Sequence, residues 1–227
     1  MSAPSAYPGA SSDFGWNASI VEWLAGIFVA PPSINAVVGY RGRMGAILFE
    51  ALDEEPGCHP GVQRMRSAMN LEGPAAAVAL RLGRAFTQLF DGIAGSKAVS
   101  LYESGHVGVS GRLFQAPVVS VGKLLRKSDL SIDDGFCEPS DHLSIELALL
   151  ARLIRHDSNP GAQKALLDDH LLNWLPAFAD RCHECDRTGF YAGTAQVLTA
   201  FLTCQRAGQQ YQRSAQPKTG VSVCRSD

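Results

Sequence analysis

The chain contains 227 residues, enough for one large domain or two small ones, and 46 % of them are hydrophobic. Its 20 basic and 22 acidic residues give a formal net charge of −2, which gives no reason to expect nucleic-acid binding. The first lysine or arginine is Arg41, so no secretory or twin-arginine signal is expected. The longest apolar runs, 18–30 and 143–154, contain charges and are too short to span a bilayer. We therefore expect a cytoplasmic protein.

The first half of the chain shows the apolar spacing of helices. Residues 1–15 are rich in Ser, Ala, Pro and Gly and are predicted to form a flexible leader. In the second predicted helix, Gly39, Gly42 and Gly45 either weaken the helix or permit close packing against a neighbour. The predicted helices of this half span residues 16–30, 33–52, 61–70 and 74–90.

The second half begins with a glycine-rich loop at 92–111, in which a short strand is possible but an ordered loop is preferred. An acidic loop follows at 131–137, and Pro176 predicts a kink or a break in a later helix. The polar residues 207–227 are predicted to be disordered. The predicted helices of this half span residues 117–130, 139–156, 161–178 and 188–206.

No series of alternating strands and no β-α-β rhythm is present, so the sequence predicts an all-α fold of about seven to nine helices. The predicted organisation is an N-terminal helical subdomain, residues 16–130, and a C-terminal helical subdomain, residues 131–206. The two are expected to join near residues 128–138, where the acidic loop lies.

The most informative stretch is the start of the predicted helix at 139–156. A proline fits the first turn of a helix, where its missing N–H is no loss, so Pro139 is expected to fix the helix start. Glu138 and Asp141 would then lie near the positive end of the helix dipole. The spacing of four, three and four residues predicts one buried stripe, formed by Leu143, Leu147, Leu150 and Ile154.

Charge is unevenly distributed around this stretch, because residues 128–151 contain acids but no lysine or arginine. A clustered acidic surface favours a basic partner. The alternative is a solvated acidic loop with acids that cap the following helix. The acids are Asp129, Asp133, Asp134, Glu138, Asp141 and Glu146.

Catalytic and metal-binding alternatives have weaker support. His142 and Glu146 are four residues apart on a predicted helix, so with Asp141 they would suit a metal-dependent helical hydrolase. No other histidine forms a ligand-spaced pair with them. Cys182 and Cys185 form a single C-x-x-C, and zinc normally needs a second such pair. Neither a G-x-G-x-x-G nor a phosphate-loop motif occurs.

Four motifs in order resemble the TorD/DmsD/NarJ family of redox-enzyme maturation chaperones, closest to the TorD and DmsD branches. Residues 138–143 resemble its E-P-x-D-H signature, and residues 100–104 its upstream tyrosine loop. Residues 170–178 are similar to its H-L-x-x-W-x-P-x-F segment, and residues 189–192 to the start of its last helix. Together these motifs cover roughly residues 95 to 205.

The resemblance implies a cytoplasmic chaperone that catalyses no reaction and needs no cofactor of its own. Its implied partner is the precursor of a molybdopterin-guanine-dinucleotide reductase, of the dimethyl sulfoxide or trimethylamine N-oxide type. The chaperone would bind the twin-arginine signal peptide and the apoenzyme, assist molybdenum cofactor insertion and delay export. The protein would be a monomer or a domain-swapped dimer.

The residue chemistry suits this partner, because carboxylates pair guanidinium groups through charge-assisted bonds and an aromatic face can contact a cation. The apolar part of the peptide would need a groove between helices. The alternative is structural, with Asp141 as a helix cap and His142 as a brace of the hinge. The predicted signal-peptide site consists of Tyr102, Glu103, Glu138, Pro139, Asp141 and His142.

Overall fold

The computed structural model describes residues 10–92, 95–107, 116–132, 136–156 and 159–215. Within them, no strand occurs, and the predicted all-α fold is confirmed. A π-helical segment, Leu166–Leu171, joins α8 to α9, so the ten α-helical segments form nine separate helices. The segments are α1 Ala10–Val29, α2 Ile34–Arg41, α3 Arg43–Asp53, α4 His59–Met69, α5 Ala75–Phe90, α6 Ala116–Lys127, α7 Leu143–His156, α8 Pro160–Ala165, α9 Leu172–Cys185 and α10 Phe190–Ala215.

Both ends of the helical region extend beyond their predicted limits. α1 begins at Ala10, inside the predicted leader, and residues 1–9 lie outside the described residues. α10 continues to Ala215, past the predicted end at 206, while residues 216–227 also lie outside the described residues. No helix in the described part of the chain is both long and apolar enough to cross a membrane.

The predicted helix at 33–52 is divided in two. Ser33 caps α2, as predicted, and accepts a hydrogen bond from the Ala36 N–H at 3.2 Å. Gly42 is extended, with ψ at −177°, and ends α2. The chain turns so sharply there that a Cβ on Gly45 would lie 2.2 Å from the Tyr40 carbonyl oxygen. The glycines at this point therefore permit a helix break with a close backbone approach.

Pro176 does not break its helix, because α9 runs through it from Leu172 to Cys185. Proline removes one backbone donor from the hydrogen-bond ladder of a helix. The irregular backbone lies one turn earlier, in the π-helical segment that precedes α9. The distortion near this proline is therefore a local widening of the helix and not an interruption.

The central helix, α7, carries the predicted buried stripe. Leu143, Leu147 and Leu150 are fully buried and Ile154 nearly so, which confirms that part of the prediction. α1 packs along α7, while α10 packs against α4 and α9. One hydrophobic core therefore includes helices from both sides of the boundary predicted near residues 128–138. The division into subdomains 16–130 and 131–206 stays a prediction.

α4 and α10 approach each other through a pair of glycines. A Cβ on Gly193 would lie 2.6 Å from the Gly61 carbonyl oxygen, and a Cβ on Gly61 would lie 2.7 Å from the Gly193 carbonyl oxygen. Such distances are far below van der Waals contact, so the two backbones can pack this closely only where both side chains are absent.

We expect Gly193→Ala to lower the free energy of unfolding by about 1–3 kcal/mol, because the added methyl group must push α4 and α10 apart. The measurement is urea unfolding followed by circular dichroism. Gly208→Ala in the same helix is the matched control, since nothing lies within 4 Å of its added Cβ. The control should be neutral or stabilising by up to about 1 kcal/mol. Equal stability of the two variants would contradict the close approach.

Candidate functional site

The candidate site is built from two segments that lie side by side. The first is the tyrosine loop, residues 99–106, and the second is the strap, residues 136–142, which leads into α7. The Glu103 N–H donates to the Asp141 carbonyl at 3.0 Å, and the Leu143 N–H donates to the Leu101 carbonyl at 2.8 Å. An isolated antiparallel bridge accordingly joins Tyr102 and His142. The tyrosine loop is thus fixed to the start of the central helix.

The strap is a turn and not the first turn of α7. The His142 N–H donates to the Pro139 carbonyl at 3.0 Å, and α7 begins only at Leu143. The prediction that Pro139 opens the helix was therefore wrong, because the backbone of the strap pairs with the tyrosine loop instead. Ser140 adds an anchor on the other side, where its hydroxyl donates to the Val118 carbonyl of α6 at 2.6 Å.

Asp141 binds the tyrosine loop and not α7. Its Oδ2 accepts a hydrogen bond from the Ser104 N–H at 3.0 Å, within the single 3₁₀ turn Glu103–Gly105. Its side chain is only 1 % exposed, and its Oδ1 has no hydrogen-bond partner among the described residues. The predicted helix-capping alternative for Asp141 is therefore corrected: the residue stabilises a turn 37 positions earlier in the chain.

His142 is the residue that caps α7. Its carbonyl accepts hydrogen bonds from the N–H groups of Ile145 and Glu146, and its Nδ1 accepts one from the Ser144 N–H at 3.3 Å. Because a backbone N–H can only donate, the proton of the neutral ring lies on Nε2. Burial lowers the pKa of His142, so the ring is neutral near pH 7. Asp141 thus anchors the tyrosine loop, while His142 caps α7.

Tyr102 and Glu138 form the accessible edge of the site. Both side chains are half-buried, and the Tyr102 hydroxyl donates to Glu138 Oε2 at 2.6 Å. Burial, followed by the hydrogen bond to Glu138, raises the pKa of Tyr102, so the hydroxyl keeps its proton. The Tyr102 ring also lies edge-on to His142, with 5.2 Å between ring centres. Of the three acids in the predicted signal-peptide site, Glu138 is the one that an approaching ligand can reach.

Glu103 lies behind this edge, in a buried acid–histidine cluster of Glu103, Glu146 and His170. Glu103 Oε2 lies 2.7 Å from His170 Nδ1, and the Trp174 indole N–H donates to Glu146 Oε2 at 3.3 Å. Burial, together with the nearby charge of Glu103, raises the pKa of Glu146 well above its ordinary value. Burial therefore favours the protonated form of Glu146, which shares this space with a second carboxyl group.

Sequence reasoning did not find this cluster. Glu146 was considered with Asp141 and His142 as a metal ligand, but those two side chains bind Ser104 and Ser144 instead. In the described part of the chain, the group whose ligand atoms lie close enough to hold a metal ion, within 4.8 Å of one another, is Glu103, Glu146 and His170. The hydrolase interpretation based on Asp141 and His142 therefore has no support from the geometry.

The C-x-x-C segment lies in the last turns of α9. Cys182 is buried, and this burial, together with Asp186, raises the pKa of its thiol well above the ordinary value. Cys185 is half-buried. Because the thiolate is the reactive and metal-binding form, a buried thiol with a raised pKa is a poor nucleophile and a poor ligand.

The chain is similar to known proteins over most of its length. A family model described as the nitrate reductase delta subunit matches residues 55–180. The chain is 28 % identical over 201 residues to the chaperone protein TorD of Vibrio parahaemolyticus, which covers 84 % of this chain and 93 % of that protein. It is 30 % identical over 198 residues to the chaperone protein TorD of Photobacterium profundum, with 83 % and 90 % covered.

The helical fold and these relatives define a protein that acts as a chaperone and not as an enzyme. The chain belongs to the nitrate reductase delta subunit family, among the redox-enzyme maturation chaperones similar to TorD. The resemblance seen in the four sequence motifs is thereby confirmed.

We expect Asp141→Ala to lower the free energy of unfolding by about 1–3 kcal/mol, because the buried Ser104 N–H loses its acceptor. Urea unfolding measures the change. Asp180→Ala, which removes an exposed carboxylate from α9, is the control and should change stability by less than about 0.5 kcal/mol. If both variants unfold at the same urea concentration, Asp141 does not anchor the loop.

The raised pKa of Glu146 makes stability depend on pH. A carboxyl whose folded pKa is raised contributes stability that is complete below the unfolded pKa, near 4.3, and is lost as pH rises through the folded pKa. The wild-type protein should therefore lose up to about 1.4 kcal/mol per pH unit in this window. Glu146→Gln copies the protonated form and should flatten the profile above the unfolded pKa.

Unfolding at a series of pH values checks this expectation, with Glu72→Gln as a matched control at an exposed position. The control should keep the wild-type slope. A Glu146→Gln slope identical to that of the wild type would show that the titrating group lies elsewhere.

Proposed function

We propose that this chain binds the twin-arginine signal peptide of a molybdoenzyme precursor at the edge formed by Tyr102 and Glu138. The observation that carries the proposal is the pairing of Glu138. Its carboxylate accepts a hydrogen bond from a phenol, and among the described residues no lysine or arginine forms a salt bridge with it. An incoming guanidinium would replace the single hydrogen bond from an uncharged phenol with an ion pair that has two charge-assisted hydrogen bonds.

The geometry supports a specific sequence of contacts in this proposal. A guanidinium binds a carboxylate through two parallel N–H donors, which the two oxygens of Glu138 can accept. The Tyr102 ring, released from Glu138, offers a face for the cation or for the apolar residues that follow the two arginines. Both side chains are half-buried, so water around the pair is already partly excluded and the attraction is stronger than on an open surface.

Asp141 and Glu103 take an indirect part in the proposal. Their side chains are 1 % and 2 % exposed, so neither meets a ligand without movement of the strap. Asp141 holds the turn after Tyr102, and Glu103 is held against His170. Pro139 and His142 fix the two ends of the turn that carries Glu138 onto α7. These four residues act as positioning residues for the accessible pair.

The family suggests the setting of this binding. The client would be a molybdopterin-guanine-dinucleotide reductase of the dimethyl sulfoxide or trimethylamine N-oxide type, bound in the cytoplasm before export. By covering the signal peptide, the chaperone would delay export until the molybdenum cofactor is inserted. The protein would act as a monomer or as a dimer that exchanges subdomains at residues 128–138.

The test is a calorimetric titration with a synthetic twin-arginine signal peptide, beside a peptide in which both arginines are lysines. The lysine peptide keeps the charge but cannot form a bidentate contact with the Glu138 carboxylate, so it should bind more weakly. Glu138→Gln should weaken binding of the arginine peptide by about tenfold or more, because a charge-assisted bond contributes about 1.5–3 kcal/mol.

Two control variants make the test specific. Tyr102→Phe keeps the ring and removes the hydroxyl that competes for Glu138, so it should bind as tightly as the wild type or more tightly. Glu72→Gln removes an exposed acid elsewhere and should not change affinity. Wild-type affinity in Glu138→Gln, with folding unchanged by circular dichroism, would overturn the proposed contact.

A further inference from the structure

A second surface of opposite charge lies along the outer side of α5. Residues 77, 80, 81, 84 and 88 follow helical spacing, line one groove and extend over about 16 Å of helix axis. The opposite wall is formed by Lys97 and by residues 185–188, which connect α9 to α10. The groove is open and has a volume of about 920 Å³. It shares no residue with the Tyr102–Glu138 edge.

The groove contains a concentration of positive charge that the near-neutral chain does not require. Arg81, Arg84, Lys97 and Arg187 line it, all four are exposed, and none forms an ion pair within the described ranges. Four unpaired charges of one sign in one groove repel one another. A partner that supplied carboxylates would relieve this repulsion and gain favourable contacts.

Asp186 also lines the groove, but its carboxylate already accepts hydrogen bonds from neighbouring residues. Asp186 accepts hydrogen bonds from the Thr188 N–H at 2.8 Å, the Thr188 hydroxyl at 2.7 Å and the Ala192 N–H at 3.0 Å. Its oxygens therefore cap the start of α10, and Asp186 forms no ion pair with the cations of the groove among the described residues. The same bonds occupy backbone donors at this helix start, so an anion in the groove would be recognised by arginine and lysine side chains.

An apolar strip beside these cations indicates the shape of the ligand. Leu80 is 58 % exposed, although it is a large hydrophobic side chain, and Ala77 lies one turn before it on the same face. Ala77 and Leu80 thus lie beside Arg81 and Arg84 along about two turns of α5. A compact phosphate group would use the charges and leave Leu80 in water. A helix with one acidic and one apolar stripe would cover both.

We propose that the α5 groove is a second docking site, which binds an acidic amphipathic helix of a partner protein. The apolar stripe of that helix covers Leu80 and Ala77, and its acidic residues pair with Arg81, Arg84, Lys97 and Arg187. This proposal does not depend on signal-peptide binding, because the two surfaces have opposite charge and share no residues. One chain can therefore hold a basic peptide and an acidic helix at the same time.

The experiment uses a designed, fluorescently labelled helical peptide of about 16 residues, with glutamates beside a leucine stripe at helical spacing. Fluorescence anisotropy measures its binding to the full chain. Reversing two charges with Arg81→Glu and Arg84→Glu should weaken binding by about tenfold or more, a change of about 1.4 kcal/mol. Leu80→Ser should weaken it several-fold without changing the net charge.

Matched controls separate a groove from general attraction. Lys123→Glu with Arg126→Glu reverses two exposed cations at the same spacing on α6 and changes the net charge equally. This control should bind the peptide as the wild type does, and a peptide with glutamine for glutamate should bind poorly. Equal weakening by the two double variants, equal binding of the glutamine peptide, or displacement of the peptide by equimolar inorganic pyrophosphate would overturn the proposal.

Binding of the twin-arginine peptide to the same variants tests whether the two surfaces are independent. Arg81→Glu with Arg84→Glu should leave binding of that peptide unchanged, while Glu138→Gln should leave binding of the acidic helix unchanged. Failure of the signal-peptide titration together with intact binding of the acidic helix would reject the proposed function alone. Loss of both binding activities in the α5 double variant would contradict the independence of the groove.

Discussion

The pairing of the tyrosine loop with the strap is the constraint on which the site depends. Backbone N–H and carbonyl groups that leave water must find partners, and these two irregular segments satisfy each other through Glu103–Asp141 and Leu143–Leu101. The pairing brings Asp141 to the N–H of Ser104. It also places Glu103 beside His170, a residue 67 positions later. A displaced strap would leave several buried polar groups without partners at once.

The cost of this arrangement is a set of buried acids, and their placement explains a division of roles. A charge far from water must be paired, hydrogen-bonded or neutralised. Glu103 faces His170, Asp141 accepts a backbone N–H, and burial favours the protonated form of Glu146. Glu138 alone of the site acids remains at a half-buried edge. Hydrogen-bonded acids behind one accessible acid would reduce the entropy cost of the proposed peptide binding.

Much of the fold could be predicted from the sequence, because helical periodicity is a local signal. The stripe on α7 and the Ser33 cap follow directly from spacing and residue type. The start of α7 at Leu143 could not be predicted, since it depends on the pairing of the strap with the tyrosine loop. The same reason hid the meeting of Glu103 with His170. A sequence motif indicates candidate site residues, but it does not show which of them contact residues that are distant in the sequence.

The two proposed docking surfaces depend on the uneven distribution of charge along the chain. Behind the net charge of −2 lie a strap region without lysine or arginine and a groove along α5 whose four cations form no ion pair with the described residues. Opposite fields on separate surfaces attract different segments and repel the wrong one, which gives specificity without a large interface. α5 and the strap both pack against one continuous hydrophobic core. A client that carries a basic leader and an acidic helix would therefore gain from simultaneous contact, because binding at the first surface raises the effective concentration of its second segment at the other.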